Sequence, residues 1–127
     1  MFEHQAMKKR ILIVDDDKDI LEALTTMLSM WNYDARGISR GEDVFGEAAD
    51  FRPDLILMDV MLSGMDGRSI VKALKTIPFL AGIPVIMISA HMSMYSAVFD
   101  ENGPDDFVPK PFDMNYLQGK IERQLAA

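Results

Sequence analysis

Short apolar runs alternate with segments of helical periodicity along most of this 127-residue chain. The most apolar runs are Ile11–Val14, Leu55–Met58 and Val85–Ile88, and weaker ones cover Tyr33–Ile38 and Asp106–Pro109. This alternation predicts an α/β fold in which a parallel sheet carries helices on both faces. The run Leu55–Met58 is predicted to be a central strand because it is apolar throughout. The two weaker runs are predicted to be edge strands.

Five helices are predicted from apolar residues spaced three and four positions apart. Asp17 and Asp113 are placed to cap the first and last helices with their side chains. Ser39, with Glu42 three residues later, predicts a capping box at the start of the second helix. The fourth helix is predicted to be short because Asn102-Gly103-Pro104 follows it closely. The apolar stripes lie within 20–31, 44–48, 70–77, 94–99 and 114–125.

The composition indicates one soluble domain and excludes several functional classes. Hydrophobic residues make up 49% of the chain and charged residues 26%, as in an average globular domain. The absence of cysteine excludes disulfides and thiolate chemistry, and we expect a cytoplasmic location. The formal net charge of -7 argues against direct nucleic-acid binding, and the chain has no apolar run long enough to span a membrane. We expect an N-terminal extension over 1–8 and a single domain over 9–127, with no effector domain after it.

Polar residues follow the predicted strands at the positions where ligands bind in open parallel sheets. Asp15–Asp17 follows the first strand, Asp59 the third, Ser89 the fourth and Lys110 the fifth. Each aspartate alone is compatible with a helix cap. Together they predict a cleft in which carboxylates about 5 Å apart would repel by roughly 3 kcal/mol per pair at an effective dielectric near 20. Oxygen ligands without histidine or cysteine favour a hard divalent cation such as Mg²⁺.

In this arrangement the chain resembles the receiver domains of two-component response regulators, and it is similar to the single-domain type. The resemblance covers nearly the whole chain, and its motifs occur in the family's order. Each motif is short, and their joint order and separation make the resemblance specific. The motifs are Val14-Asp15-Asp16, Leu57-Met58-Asp59-Val60-Met61, Gly64 and Gly67, Ser89-Ala90, and Phe107 before Lys110-Pro111-Phe112.

The resemblance implies a flavodoxin-like, doubly wound fold with five helices and a five-stranded parallel sheet in the order 2-1-3-4-5. It implies that Asp59 accepts a phosphoryl group. It also implies that Asp15, Asp16, Asp59 and the backbone carbonyl of Met61 hold Mg²⁺ or Mn²⁺. The Lys110-Pro111 peptide bond is expected to be cis.

Other positions of the resemblance concern signalling and lifetime. Ser89 and Lys110 are expected to bind the phosphoryl group, and Ser89 with Phe107 is expected to form the conformational switch. Phe107 stands where the family often has tyrosine, so a ring hydroxyl is missing from the expected readout. Met61 and His91 occupy the positions expected to modulate loss of phosphate.

The resemblance further implies particular partners and a limited catalytic role. The phosphoryl donor would be a phosphohistidine of a histidine kinase or of a histidine phosphotransfer protein. The chain would then act on a downstream effector protein, without binding nucleic acid or membrane, as a monomer or a phosphorylation-dependent dimer. The domain is expected not to be an enzyme, apart from slow self-dephosphorylation.

Two other functions remain compatible with the residues. A flavodoxin-like cofactor-binding module has the same architecture, but its first loop should offer hydroxyls and amides to a phosphate where this chain has Asp15–Asp17. An aspartate-nucleophile phosphatase shares the chemistry, and Asp15 with Asp17 superficially matches the spacing of its two aspartates. Flavin absorbance would favour the first, and sustained hydrolysis of phosphate esters the second.

Overall fold

The structure, a computed structural model, describes residues 7–90 and 102–126. Within these residues the chain forms seven strands, four α-helices and one short 3₁₀ turn, Gly41–Asp43. The strands are β1 (Arg10–Val14), β2 (Asp34–Ile38), β3 (Leu55–Asp59), β4 (Met61–Leu62), β5 (Met65–Asp66), β6 (Val85–Ser89) and β7 (Asp106–Pro109). The helices are α1 (Lys18–Met30), α2 (Val44–Phe51), α3 (Gly67–Leu74) and α4 (Met114–Ala126).

Five of the strands form one parallel sheet in the order β2-β1-β3-β6-β7. Since β6 and β7 are the fourth and fifth strands of the predicted series, the order 2-1-3-4-5 is confirmed, as is the α/β class. All residues of β3 and β6 are buried, whereas β2 carries exposed residues, as expected for a central and an edge position. The register places Asp59, at the end of β3, beside Ile88 of β6.

Successive residues of the central strands point to opposite faces of the sheet and belong to two hydrophobic clusters. Leu12 and Ile56 pack with residues of α2 and α3 on one face. Ile11 and Leu55 pack with residues of α1 and α4 on the other. The domain is therefore doubly wound, and both faces of the sheet are covered by helices.

The predicted caps of the first and last helices are confirmed. The Asp17 carboxylate accepts hydrogen bonds from the backbone N–H groups of Asp19 at 2.9 Å and Ile20 at 3.3 Å. The Asp113 carboxylate accepts one from the backbone N–H of Tyr116 at 3.0 Å. These caps satisfy backbone donors that the first helical turn leaves without partners.

The predicted capping box at the second helix is wrong. The 3₁₀ turn Gly41–Asp43 precedes α2, and its N-cap residue is Arg40, which makes no side-chain cap hydrogen bond. The Glu42 carboxylate instead accepts a hydrogen bond from the Arg40 guanidinium at 2.6 Å. A local ion pair thus replaces the interaction with Ser39 that the spacing favoured.

Three other local features differ from the prediction or lie beyond it. The third helix ends at Leu74, and turns with three-residue hydrogen-bond spacing carry the chain past Ile77. The hairpin β4–β5 was not predicted, because two-residue strands are too short to show a period. The predicted fourth helix lies outside the described residues. Within those residues, no helix combines the length and apolar character needed to cross a bilayer.

Candidate functional site

Three aspartates meet beyond the carboxyl ends of β1 and β3. One ligand oxygen each from Asp15, Asp16 and Asp59 lies within 4.8 Å of the other two. Asp15 is only 1% exposed and Asp59 only 8%, so water screens their charges poorly. The sequence predicted this cluster correctly from the positions of the strand ends. Its electrostatic repulsion requires positive charge in or beside the cleft.

Lys110 supplies one such charge from the end of β7. Its Nζ donates hydrogen bonds to Asp59 Oδ2 at 3.0 Å and to Asp15 Oδ2 at 3.2 Å. Its backbone N–H donates to the Ser89 carbonyl oxygen at 2.8 Å, which holds the residue beside the fourth strand of the series. Burial acts to lower the pKa of Lys110, but the hydrogen bond to Asp59 and the charges of both aspartates raise it overall. The following peptide bond, Lys110-Pro111, is cis as expected.

Burial raises the pKa of the Asp15 carboxyl group above its ordinary value. The backbone N–H of Asp17, which donates to Asp15 Oδ1 at 2.9 Å, and the charge of Lys110 oppose this increase. The charge of Asp59 adds to it. Asp15 is therefore a carboxylate whose ionised form costs the folded domain free energy, and a cation bound beside it would lower that cost.

The segment after Asp59 is held close to the end of β3. Asp59 Oδ1 accepts a hydrogen bond from the backbone N–H of Met61 at 3.2 Å. The backbone N–H of Gly67 donates to the carbonyl oxygen of Val60 at 2.7 Å. A Cβ atom at Gly67 would overlap the backbone carbonyl oxygen of Asp59, so this close approach requires glycine.

A hydroxyl that the sequence analysis did not identify also reaches the cleft. Ser63 Oγ donates a hydrogen bond to Asp16 Oδ2 at 2.7 Å, although the two residues lie 47 positions apart. Ser63 belongs to no strand and has no periodic pattern around it. Only the hairpin β4–β5, which carries it back across the cleft, brings it to Asp16.

Of the remaining predicted residues, the structure describes Ser89, Phe107 and Met61. Ser89 is buried at the end of β6, and Phe107 is buried in β7, where it pairs in register with Met87 and belongs to the hydrophobic core. Met61, two residues after Asp59, is 53% exposed. His91 lies outside the described residues.

The donor set suits a hard divalent cation. The cluster Asp15, Asp16 and Asp59 offers carboxylate oxygens only, and no histidine or cysteine belongs to it within the described residues. Such ligands favour Mg²⁺ or Mn²⁺ over the softer transition metals. The same cleft places a lysine against the carboxylate of Asp59, so it can balance negative charge that arrives at that side chain.

Comparisons with known proteins agree with this geometry. A family model for the response regulator receiver domain matches residues 11–122. The DNA-binding response regulator MtrA of Mycolicibacterium smegmatis is 35% identical over 120 residues, which cover 94% of this chain and 51% of that protein. The transcriptional regulatory protein GltR of Pseudomonas aeruginosa is 36% identical over 118 residues, which cover 92% of this chain and 49% of that protein.

Solved structures show the same fold. A CheY-like response regulator receiver domain protein from Methanospirillum hungatei has a TM-score of 0.83 and 30% identity, covering 94% of this chain and 95% of that one. The receiver domain of a histidine kinase from Syntrophus aciditrophicus has a TM-score of 0.83 and 33% identity, covering 93% of this chain and 90% of that one.

The chain spans about half the length of the curated relatives that it matches. The family match itself extends over most of this chain and includes Asp15, Asp16, all of β3 with Asp59, and Lys110. It confirms the predicted resemblance and does not favour the cofactor-binding or phosphatase alternatives. The chain belongs to the response regulator receiver domains of two-component signal transduction systems.

Proposed function

We propose that Asp59 accepts a phosphoryl group from a phosphohistidine of a histidine kinase or a histidine phosphotransfer protein. The observation that carries this proposal is the position of the Asp59 carboxylate, which lies 3.0 Å from Lys110 Nζ and beside Asp15 and Asp16. Asp59 is the acid that follows the central strand, and its carboxylate faces both the cationic and the acidic walls of the cleft.

The reaction exchanges one phosphorus bond for another. An oxygen of Asp59 forms a bond to phosphorus as the phosphorus–nitrogen bond of the phosphohistidine breaks, and the released imidazole nitrogen takes up a proton. The product is an acyl phosphate. Lys110 balances the incoming negative charge, and the backbone contacts of Met61 and Gly67 keep the acceptor carboxylate in place.

Asp15, Asp16, Asp59 and the backbone carbonyl of Met61 would hold Mg²⁺ or Mn²⁺. The close approach of three carboxylates and their oxygen-only chemistry support this assignment. When bound, the cation would neutralise charge on the phosphoryl oxygens as transfer proceeds. Lys110 alone offers one positive charge to the cluster, which is less than the charge of the aspartates it meets.

Ser89 and Phe107 would transmit the modification. The Ser89 hydroxyl would move toward the phosphoryl group and hydrogen-bond it. The Phe107 ring would then turn into the space that the hydroxyl leaves. Both side chains are buried on neighbouring strands, so displacing one changes the packing available to the other. The two states would differ in affinity for the downstream effector protein, as a population shift requires.

The domain would be a phosphoryl acceptor, with at most slow self-dephosphorylation. The exposed Met61 side chain is apolar and offers no group to orient a water molecule for attack on the acyl phosphate. His91 would modulate the rate as a weak base near its reference pKa of about 6.5. After phosphorylation of Asp59, the acyl phosphate would thus persist for a comparatively long time before water cleaves it.

The partners and boundaries of the domain follow from the same interpretation. The DNA-binding function named for MtrA belongs to that longer protein. This acidic chain would act through protein partners, as a monomer or a phosphorylation-dependent dimer in the cytoplasm. The start of β1 at Arg10 and the family match over 11–122 support an extension at 1–8 and a receiver domain at 9–127.

The test is the intact mass of the protein after incubation with acetyl phosphate and Mg²⁺. We expect one added phosphoryl group per chain in the wild type. None should be added to Asp59→Asn, or to the wild type in excess chelator. Unchanged labelling of Asp59→Asn would overturn the assignment of the acceptor.

A further inference from the structure

Ser63 lies at the tip of the hairpin that follows the acceptor strand, and its hydroxyl contacts the acidic cleft. We infer that Ser63 is a positioning residue, which holds the Asp16 carboxylate in the orientation that binds a divalent cation. The inference rests on the proposed function, because it assumes that the cleft binds such a cation. It leaves the expected ligand set Asp15, Asp16, Asp59 and Met61 unchanged and adds a residue that orients one of these ligands.

The hairpin restrains Ser63 at both of its ends. Leu62 pairs with Met65, so Ser63 and Gly64 form the two-residue turn between β4 and β5. Gly64 has a φ of 74°, which glycine adopts without the steric penalty of other residues. At the base of the hairpin, the N–H of Gly67 donates to the carbonyl oxygen of Val60 at 2.7 Å. The hydroxyl is therefore carried on a short, closed segment anchored beside the acceptor.

Asp16 depends on this contact more than its neighbours depend on theirs. Asp15 is held by Lys110 and by the backbone N–H of Asp17, and Asp59 by Lys110 and the backbone N–H of Met61. For Asp16, the hydrogen bond in the described part of the chain is the 2.7 Å bond from Ser63. Asp16 is also only half-buried. Without Ser63, packing would restrict its side chain little, and ordering it around a cation would cost conformational entropy.

Two effects of the hydroxyl oppose each other, and their balance decides the outcome. The donated hydrogen bond occupies one acceptor position on Oδ2 and withdraws negative charge, which weakens attraction to a cation. A carboxylate has about four acceptor sites, so oxygen lone pairs remain available to the metal. Groups that orient metal ligands in this way typically change affinity by roughly 10–100-fold. Because the Ser63–Asp16 hydrogen bond is exposed to solvent, we expect Ser63 to increase the affinity for Mg²⁺ by less, about threefold to tenfold.

The experiment is calorimetric titration of the whole chain with Mg²⁺. Four proteins are compared: the wild type, Ser63→Ala, Ser63→Thr and Ser29→Ala, in which an exposed serine at the far end of α1 is changed in the same way. We expect Ser63→Ala to raise the Kd by about threefold to tenfold. Ser63→Thr, which keeps the hydroxyl, should restore wild-type affinity, and Ser29→Ala should not alter it. Unfolding midpoints in chelator should be the same for Ser63→Ala and the wild type.

Each alternative result has a definite meaning. A Kd of Ser63→Ala equal to or below that of the wild type would overturn the positioning role, as would a threonine variant as weak as the alanine variant. Wild-type protein that binds Mg²⁺ and is phosphorylated, with no effect of Ser63→Ala, would remove this inference and leave the proposed function intact. Wild-type protein that does not bind Mg²⁺ would remove both the cation assignment and this inference.

Discussion

Replacing Lys110 with methionine removes the cation of the cleft and keeps most of the side-chain length. Lys110 Nζ lies 3.0 Å from Asp59 Oδ2 and 3.2 Å from Asp15 Oδ2. At an effective dielectric of 20, each contact corresponds to a gross attraction of about 5 kcal/mol. Desolvation of the three charged groups offsets much of that attraction, so the variant must lose less unfolding free energy than this gross value.

Protonation of a carboxyl group limits how much unfolding free energy the repulsion between Asp15 and Asp59 can remove from the Lys110→Met variant. The folded variant can relieve its repulsion by protonating one carboxyl group, whose reference pKa is about 3.9, and at pH 7 this costs about 4 kcal/mol. At pH 5 the same protonation costs only about 1.5 kcal/mol. We therefore expect Lys110→Met to lose about 2 to 4 kcal/mol of unfolding free energy at pH 7.

The pH dependence of the unfolding free energy follows from the direction in which the pKa of each cleft residue is shifted. Burial already raises the pKa of Asp15, and Lys110→Met removes a charge that opposes this increase, so the unfolding free energy of the variant should fall as pH rises from the unfolded to the folded pKa of Asp15. The deficit relative to the wild type should therefore be smaller at pH 5 than at pH 7. Lys110 has a raised folded pKa, so its own contribution is complete below its unfolded pKa and is lost as pH rises through the folded value.

The assay is urea unfolding in chelator at pH 5 and pH 7, followed by repetition with Mg²⁺, which should restore part of the loss. The matched control is Lys120→Met, because Lys120 is also 18% exposed and pairs with a single acid, Asp106, at 2.9 Å. We expect a smaller loss for Lys120→Met, with no rescue by Mg²⁺. Equal losses in the two variants, with the same pH and Mg²⁺ response, would refute the electrostatic account of the cleft.

Three further predictions concern binding of Mg²⁺, the close approach of Gly67 to Asp59 and the lifetime of the proposed acyl phosphate. Mg²⁺ at 100 times its Kd should raise the unfolding free energy by about 2.7 kcal/mol, as measured by denaturant titration. Asp16→Ala should abolish most of this gain, whereas Asp50→Ala, which changes an exposed aspartate, should keep it. Gly67→Ala should lose roughly 1–3 kcal/mol and label more slowly with acetyl phosphate, because its Cβ would overlap backbone. Gly46→Ala, which meets no atom within 4 Å, should show neither defect. Met61→Asn should release phosphate faster, since an amide can orient water; an unchanged rate in a phosphate-release assay would remove that argument.

The fold was predictable because its determinants are local or periodic. Strands buried on both faces are apolar throughout, as Leu55–Met58 shows, and edge strands are not. Asp17 and Asp113 cap helices through contacts within three residues, which a sequence pattern can contain. The acidic cleft was predictable for a related reason, since the carboxyl ends of parallel strands meet at one edge of the sheet.

The contacts that escaped prediction join distant residues or depend on competition between near neighbours. Ser63 meets Asp16 only because a hairpin without any periodic pattern returns across the cleft. Lys75 Nζ donates to Asp105 Oδ2 at 2.8 Å across 30 positions, and nothing near either residue indicates the pair. The spacing of Glu42 suited a capping box, but the neighbouring Arg40 pairs with its carboxylate. Such choices depend on three-dimensional proximity, which spacing alone does not specify.

The most direct test of the account is the chemical location of the phosphoryl group. Wild-type protein is treated with acetyl phosphate and Mg²⁺ and then reduced with borohydride, which converts an aspartyl phosphate into homoserine, and the modified residue is located by peptide sequencing in a mass spectrometer. We expect homoserine at position 59, in an amount that depends on Mg²⁺. Homoserine at Asp15 or Asp16, or phosphate retained on a histidine, would contradict it.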